Sequence, residues 1–108
     1  MIKFVKKRIF NMREEYKGIE LEQNPQRNLF EMKLGEETAF IKYSQNDDKM
    51  FLLHTEVPDS MEGKGAGSAL VEKTFRYLEN KELKAVALCP FIVAYLKRHP
   101  EWERIVER

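Results

Sequence analysis

The segment VPDSMEGKGAGSALVEKTFRYL, residues 57–78, joins an extended run to an amphipathic helix through a glycine-rich loop. Pro58 ends the extended run, because a proline cannot donate to a sheet ladder. Apolar or small side chains then recur at helical spacing at Gly67, Leu70, Val71, Thr74, Phe75 and Leu78. This stripe predicts a helix that begins at Lys64 or Gly65 and packs one face on a core. We expect the opposite face to be solvated at Glu72, Lys73, Arg76 and Glu79.

The loop itself carries glycine at alternate positions, Gly63, Gly65 and Gly67. Such a loop exposes backbone N–H groups at a helix N-terminus, where the helix dipole also favours an anion. Its spacing differs from the G-x-x-x-x-G-K-[ST] loop of phosphate-binding NTPases and from the G-x-G-x-x-G of dinucleotide-binding folds. From these residues alone, a phosphate cradle and a plain connecting loop are both open.

Three short extended runs precede this segment, at Asn28–Leu34, Thr38–Tyr43 and Met50–Val57. Short turns separate them, which predicts an antiparallel meander. Alternation in the third run predicts one face formed by Phe51, Leu53, Thr55 and Val57. The opposite face would then carry Met50, Leu52, His54 and Glu56.

After the helix, Leu83–Cys89 is almost continuously apolar, as in a buried central strand. Pro90 suits the first position of a further helix through Arg98, because its missing N–H would be unpaired there anyway. The predicted order is therefore β-β-β-α-β-α, an α+β fold.

The composition is that of a single globular domain: 108 residues, 43% apolar and 34% charged. The longest uncharged, mostly apolar stretch, 85–96, is too short to cross a bilayer, so we expect a soluble protein with no membrane partner. A net charge of +1 argues against a nucleic-acid binder. One cysteine and two distant histidines predict no metal site.

The charges are nevertheless uneven: residues 1–27 carry +3, residues 28–63 carry −5 and residues 64–108 carry +3. The last part would favour an anionic ligand, although an ordinary solvated surface explains the same pattern. Met1–Arg13 has five positive charges and no acid, without the features of a secretion or transit signal. We therefore expect a cytoplasmic protein with an N-terminal extension, 1–21, before a domain at 22–108.

Three strings and the loop together resemble the small single-domain members of the GNAT superfamily of N-acetyltransferases. The strings are Leu53–Pro58 (LHTEVP), Leu88–Phe91 (LCPF) and Tyr95–Glu101 (YLKRHPE), and the loop string is Gly63–Leu70 (GKGAGSAL). The resemblance covers about residues 22–105. It implies a mixed, mainly antiparallel sheet with flanking helices and splayed central strands.

The resemblance also implies that acetyl-CoA is the acetyl donor. Its pyrophosphate would sit on the loop from Gly63 to Ser68, and its pantetheine arm would pair with the strand around Thr55–Val57. The implied coenzyme-binding residues are Thr55, Glu56, Val57, Gly63, Lys64, Gly65, Ala66, Gly67, Ser68, Cys89, Pro90 and Tyr95. The family motif has Arg or Gln where this chain has Glu62, an unfavourable charge beside a pyrophosphate that Lys64 would offset.

Four residues are candidates for the chemistry. Tyr95 resembles the helix tyrosine that protonates the leaving thiolate in many relatives, and otherwise simply packs on the sheet. Cys89 precedes a helix N-terminus, where thiols become more reactive, so an acetyl-cysteine route is open beside the commoner reading of a buried structural cysteine. His54 and Glu56 share a strand face and could accept the amine proton, although a half-buried histidine is often structural.

The leading interpretation is an acetyl-CoA-dependent N-acetyltransferase acting on an unidentified amine that is exposed or borne by a protein. A second interpretation is a module that binds acetyl-CoA or CoA with little or no transfer. A third, an adaptor that binds nucleic acid through the basic N-terminal segment, is disfavoured by the near-neutral charge. We expect a monomer.

Overall fold

The computed structural model describes residues 14–107, whose strands form one five-stranded sheet in chain order. The strands are β1 (Glu22–Asn24), β2 (Leu29–Leu34), β3 (Glu37–Asn46), β4 (Lys49–Glu56) and β5 (Lys84–Ala87). The helices are α1 (Glu14–Lys17), α2 (Ala66–Asn80) and α3 (Pro90–Arg98), with 3-10 turns at Asp59–Met61 and Pro100–Ile105.

The sheet is mixed, with antiparallel pairing from β1 through β4 and parallel pairing of β4 with β5. Parallel neighbours need a crossover connection, and α2 provides it. The predicted α+β class and the order β-β-β-α-β-α are confirmed. α1 and β1 are not predicted from the sequence, because their four and three residues are too few to show a periodicity.

The bounds of β2 and β4 agree with prediction to within one residue, whereas those of β3 and β5 differ by more. β3 runs three residues beyond Tyr43, because Ser44, Gln45 and Asn46 continue the ladder with β4 in spite of their turn-like composition. β5 stops at Ala87, two residues before the predicted end at Cys89.

The core lies between the sheet and α2. Phe30, Met32, Ile41, Met50 and Leu52 are fully buried from the sheet side. From α2 they are met by Leu70, Val71, Phe75 and Leu78, the stripe predicted from the sequence, all fully buried. Burying side chains of this size contributes roughly 1.5–3 kcal/mol each, so this layer holds α2 and the loop before it in place.

One prediction for α2 is wrong: Glu72 is 5% exposed and does not point into solvent. Arg76, one turn later, donates to its carboxylate from Nε at 2.9 Å and from Nη2 at 2.7 Å. These two charge-assisted hydrogen bonds, both to Oε2, offset the cost of removing the carboxylate from water.

Part of the predicted extension is integrated into the domain. Tyr16 on α1 is 1% exposed, belongs to the core cluster, and donates from its hydroxyl to the Lys64 carbonyl at 3.0 Å. Residues 1–13 lie outside the described residues. No helix within residues 14–107 is long and apolar enough to span a membrane.

The outer edge of β5 is paired near its start. Val106 forms a parallel bridge with Ala85, and the Glu107 amide donates to the Ala85 carbonyl at 2.8 Å. The Lys49 ammonium lies 3.0 Å from the Glu107 carboxylate, which fastens this segment to the start of β4.

Candidate active site

The strands β4 and β5 separate at Leu52. Their parallel register ends at Leu52↔Ala87, and the Leu52 carbonyl accepts from both the Leu88 amide at 3.0 Å and the Cys89 amide at 3.1 Å. β4 continues to Glu56, whereas the segment after β5 turns away into α3. The backbone of β4 after Leu52 therefore has an open side, at the point where the two strands are predicted to splay apart. An extended ligand could pair with β4 there.

A β-bulge in β4 sets which side chains face this opening. Tyr43 pairs with Leu52, but Lys42 pairs with His54, so Leu53 is an extra residue in the ladder. Thr55 then pairs with the buried Ile41 and shares its face of the sheet. The predicted faces of β4 are therefore wrong after Leu52: Thr55 shares the buried face of Met50 and Leu52, and His54 and Glu56 lie on the opposite face.

The glycine loop leads directly into α2. Gly65 is the N-cap with φ of 84° and Gly63 has φ of 76°, both in the left-handed region that favours glycine. No side chain caps the helix and its first turn carries no acid. The first amides of an α-helix have no partner within it, so those of Ala66, Gly67 and Ser68 can bind an anion.

Gly67 has a separate role, since it lies inside α2 with ordinary helical backbone. A Cβ at Gly67 would lie 2.7 Å from the Cζ atom of Phe91, a residue in the first turn of α3. The absent side chain therefore lets an aromatic ring approach the start of α2. Phe91 is not among the site residues predicted from the sequence, although three small residues at the start of a helix signal the close approach of another group.

These elements enclose a cleft of about 550 Å³. Its lining residues are Thr55, Val57, Met61, Glu62, Gly63, Gly65, Ala66, Gly67, Ser68 and Phe91. Thr55 and six other predicted coenzyme-binding residues therefore lie together in this cleft, namely Val57, Gly63, Gly65, Ala66, Gly67 and Ser68. Glu62 is the single charged residue in that lining, so binding of a phosphate would depend on backbone amides and the helix dipole.

Lys64 points elsewhere. It lines a separate cavity of about 490 Å³ with Glu15, Tyr16, Ile19, Leu34 and Met61, on the side of the loop that faces α1. Lys64 and Glu62 therefore line different cavities. That Lys64 offsets the charge of Glu62 stays a prediction.

Cys89 stands at the fork between the strands, as the N-cap of α3. It is 4% exposed, and its thiol donates to the Thr55 hydroxyl oxygen at 3.4 Å. Its carbonyl accepts from the Val93 amide at 3.0 Å, which fixes the backbone on both sides of the side chain. A nucleophile at this position would act directly beside the cleft. Pro90 follows as the first residue of α3 and is exposed.

His54 and Glu56 share a face, as predicted, with His54 Nε2 at 3.1 Å from Glu56 Oε1. Both side chains are 59% exposed. They alternate with Thr55 along β4 and so lie on the other face of the sheet, away from the cleft. To take part, they would have to act on an acceptor held at the open end of the splay.

Tyr95 faces away from the cleft. It is 2% exposed and lines a cavity of about 180 Å³ with Glu72, Arg76, His99, Glu101, Trp102 and Arg104, none of which lines the cleft. Its ring stacks on His99 with centroids 4.3 Å apart. Burial raises the pKa of the Tyr95 hydroxyl far above its usual value, and the charges of Glu72 and Glu101 raise it further.

The described residues contain no group of three or more His, Cys, Asp or Glu side chains that could hold a metal ion. The reactive side-chain groups at or beside the cleft are the Thr55 and Ser68 hydroxyls, the Glu62 carboxylate and the Cys89 thiol that is hydrogen-bonded to Thr55.

Comparisons with known proteins agree with this geometry. Protein NATD1 of Mus musculus is 31% identical over 85 residues, which cover 76% of this chain and 77% of that protein. Protein NATD1 of Xenopus tropicalis is 30% identical, covering 77% of this chain and 79% of that protein. A GCN5-like protein of Staphylococcus aureus, solved by NMR, has the same fold with a TM-score of 0.63 and 23% identity, covering 84% of this chain and 90% of that chain.

The family model that matches this chain is described as GCN5-related N-acetyl-transferase and spans residues 29–105. That range includes β2 through α3, the glycine loop, the splay and Cys89. The chain thus belongs to the GCN5-related N-acetyltransferase family.

Proposed function

We propose that the protein is an acetyl-CoA-dependent N-acetyltransferase and that acetyl groups pass through Cys89 to an exposed amine. The observation that carries this proposal is the position of the Cys89 thiol, which lies where β4 and β5 separate and is hydrogen-bonded to Thr55 in the cleft lining. Family membership supports the reaction class and the donor.

The residues of the cleft suit acetyl-CoA. The amides of Ala66, Gly67 and Ser68 at the α2 N-terminus would hold its pyrophosphate, and the open side of β4 at Thr55 and Val57 would pair with its pantetheine arm. Gly65, which is in the left-handed region and has no side chain, supports such a close approach of backbone to phosphate. When bound, acetyl-CoA supplies an acetyl group activated as a thioester.

The proposed transfer has two steps, with an acetyl-cysteine between them. The Cys89 sulfur bonds to the acetyl carbon as the bond between that carbon and the coenzyme sulfur breaks, and the Cys89 proton leaves with CoA as a free thiol. The amine nitrogen then bonds to the acetyl carbon, the bond to Cys89 breaks, and a proton from the amine returns to the Cys89 sulfur. His54 with Glu56 can accept that proton in transit when the acceptor lies at the open end.

Tyr95 has a weaker claim as the acid. Its side chain lines a different cavity, and the raised pKa of its hydroxyl makes it a poor proton donor at neutral pH. Direct transfer with Tyr95 as the acid would require its side chain to leave the cavity in which it is buried and stacked on His99.

Titration calorimetry with acetyl-CoA and with CoA tests the binding step. We expect binding of both, and no heat at millimolar coenzyme would refute the proposal. Release of CoA thiol with a panel of amines and lysine peptides then tests transfer. Binding without release would favour the module that binds CoA without transfer.

The route through Cys89 is tested by comparing Cys89→Ala with Tyr95→Phe. We expect Cys89→Ala to lose at least about 100-fold in thiol release, in the range of loss of a nucleophile, and Tyr95→Phe to lose less than about threefold. Mass spectrometry of the parent protein after donor addition alone should show one added acetyl group, absent in Cys89→Ala. The reverse pattern would support direct transfer.

A further inference from the structure

The hydrogen bond between Cys89 and Thr55 joins residues 34 positions apart across the splay. The thiol donates and the hydroxyl oxygen accepts, at 3.4 Å. Thr55 is half-buried and lines the cleft, so this contact lies at the boundary between the protein interior and the coenzyme site.

The bulge at Leu53 creates this contact. Without the extra residue, regular alternation after Leu52 would place His54 on the face of the sheet that meets Ile41, and Thr55 on the opposite face. With the bulge, a hydroxyl rather than an imidazole meets the thiol. The side chain of a β-branched residue is also stiff at χ1, which fixes the position of that hydroxyl oxygen.

The backbone around Cys89 leaves its side chain little freedom. Its amide donates to Leu52 and its carbonyl accepts from Val93, so the main chain is fixed on both sides. Cys89 is 4% exposed, and its sulfur is hydrogen-bonded to the Thr55 hydroxyl.

We propose that Thr55 is a positioning residue that orients the Cys89 thiol and stabilises its thiolate. A threonine hydroxyl accepts from a neutral thiol, and after rotation it donates to a thiolate, where the hydrogen bond is strengthened by the charge. The other titratable groups nearby are Glu62, which lines the cleft, and His54 and Glu56 on the opposite face of β4. The inference rests on the proposed function only for the use made of Cys89.

The test is the rate of alkylation of Cys89 by iodoacetamide as a function of pH, read by mass spectrometry. Cys89 is the single cysteine of the chain, so the signal belongs to one thiol. Thr55→Val and Thr55→Ala remove the hydroxyl with different volumes, and Thr55→Ser retains it. Thr38→Val repeats the substitution on β3, outside the cleft lining.

We expect the pH midpoint of alkylation to move up by about one unit in Thr55→Val and Thr55→Ala, which is about tenfold slower reaction at neutral pH. Thr55→Ser and Thr38→Val should stay within about twofold of the parent, since a neutral change of packing alone is not expected to move the midpoint. In the transfer assay, kcat of Thr55→Val and Thr55→Ala should fall in parallel.

Unchanged alkylation in both hydroxyl-free variants would overturn the inference, as would an equal upward shift in Thr55→Ser. Slower transfer with unshifted alkylation would also overturn it, because the hydroxyl would then act on the ligand and not on Cys89. If the parent lacks transfer activity but Thr55→Val shifts the midpoint, the inference stands and the proposed enzymatic function fails.

Discussion

The packed pair of helices α2 and α3 has two ends, each beside a separate cavity, that differ in how their polar groups are used. Ser68 and Phe91 line the cleft, and the residues four positions further along the same helices, Glu72 and Tyr95, line the small cavity. In the cleft, glycine and alanine leave backbone amides without side-chain caps. In the small cavity, side chains pair with one another.

The pairing around Tyr95 is extensive. Arg76 holds Glu72, His99 stacks on Tyr95, and the Arg104 guanidinium lies 4.5 Å from the centroid of the Trp102 ring. Arg104 also donates to Glu79 at 2.7 Å. A cavity whose groups already satisfy one another stabilises the fold, whereas a cleft with free donors is equipped to bind. Substitutions at the two ends should therefore separate stability from binding.

The largest effect is expected from Trp102→Ala. Trp102 is 5% exposed and packs against Phe75 with centroids 5.6 Å apart, so its loss leaves a cavity and should lower the free energy of unfolding by about 3–5 kcal/mol. Urea denaturation measures this loss. Below the unfolding transition, the affinity for acetyl-CoA should remain within about twofold of the parent. A large loss of affinity in the folded variant would mean that the two ends are coupled.

Gly65→Val should have the opposite signature. A β-branched residue at φ of 84° is strained and places a side chain in the cleft lining, so we expect at least about tenfold weaker acetyl-CoA binding. Gly35→Val is the matched control, because Gly35 has φ of 66° in the turn between β2 and β3. Both variants should lose stability by roughly 1–2 kcal/mol, and only Gly65→Val should lose affinity. Equal affinities in the two would argue against a phosphate cradle.

The smallest effect is expected from Tyr95→Phe, and it appears at alkaline pH. Burial raises the pKa of Tyr95 above its ordinary value of 10.0, so above about pH 10 the unfolded state releases this proton while the folded state retains it. The stability of the parent should therefore fall as pH rises past 10, and Tyr95→Phe should lose less over that interval. Denaturation midpoints at pH 8 and about pH 11 measure the difference. Identical slopes in the two proteins would show that Tyr95 ionises freely in the fold.

The local parts of this molecule could be predicted from the sequence. The α2 stripe, the loop glycines and Pro90 at the start of α3 depend on residues near one another in the chain, and each was placed within two residues. Family strings added the splay and Cys89. These features need no knowledge of long-range contacts.

The parts that escaped prediction depend on distant partners. The bulge at Leu53 is defined by its register with β3, and strict alternation therefore assigned Thr55 to the wrong face. Glu72 is buried because the tertiary structure covers it and Arg76 neutralises it, although its position on the helix resembles that of a solvated residue. Tyr95 was grouped with the cleft, but its turn of α3 faces Trp102 instead.

The bridge between Val106 and Ala85 has a consequence for how the protein behaves at high concentration. An edge strand offers unpaired backbone groups to which a strand of another molecule can add, and this is a common route to aggregation. Here the backbone of Val106 and Glu107 already takes up that position at Ala85, and the Lys49–Glu107 ion pair places charge beside it. The length of β5 left open to a neighbour is thereby cut to about two residues, too short to nucleate a stable intermolecular sheet.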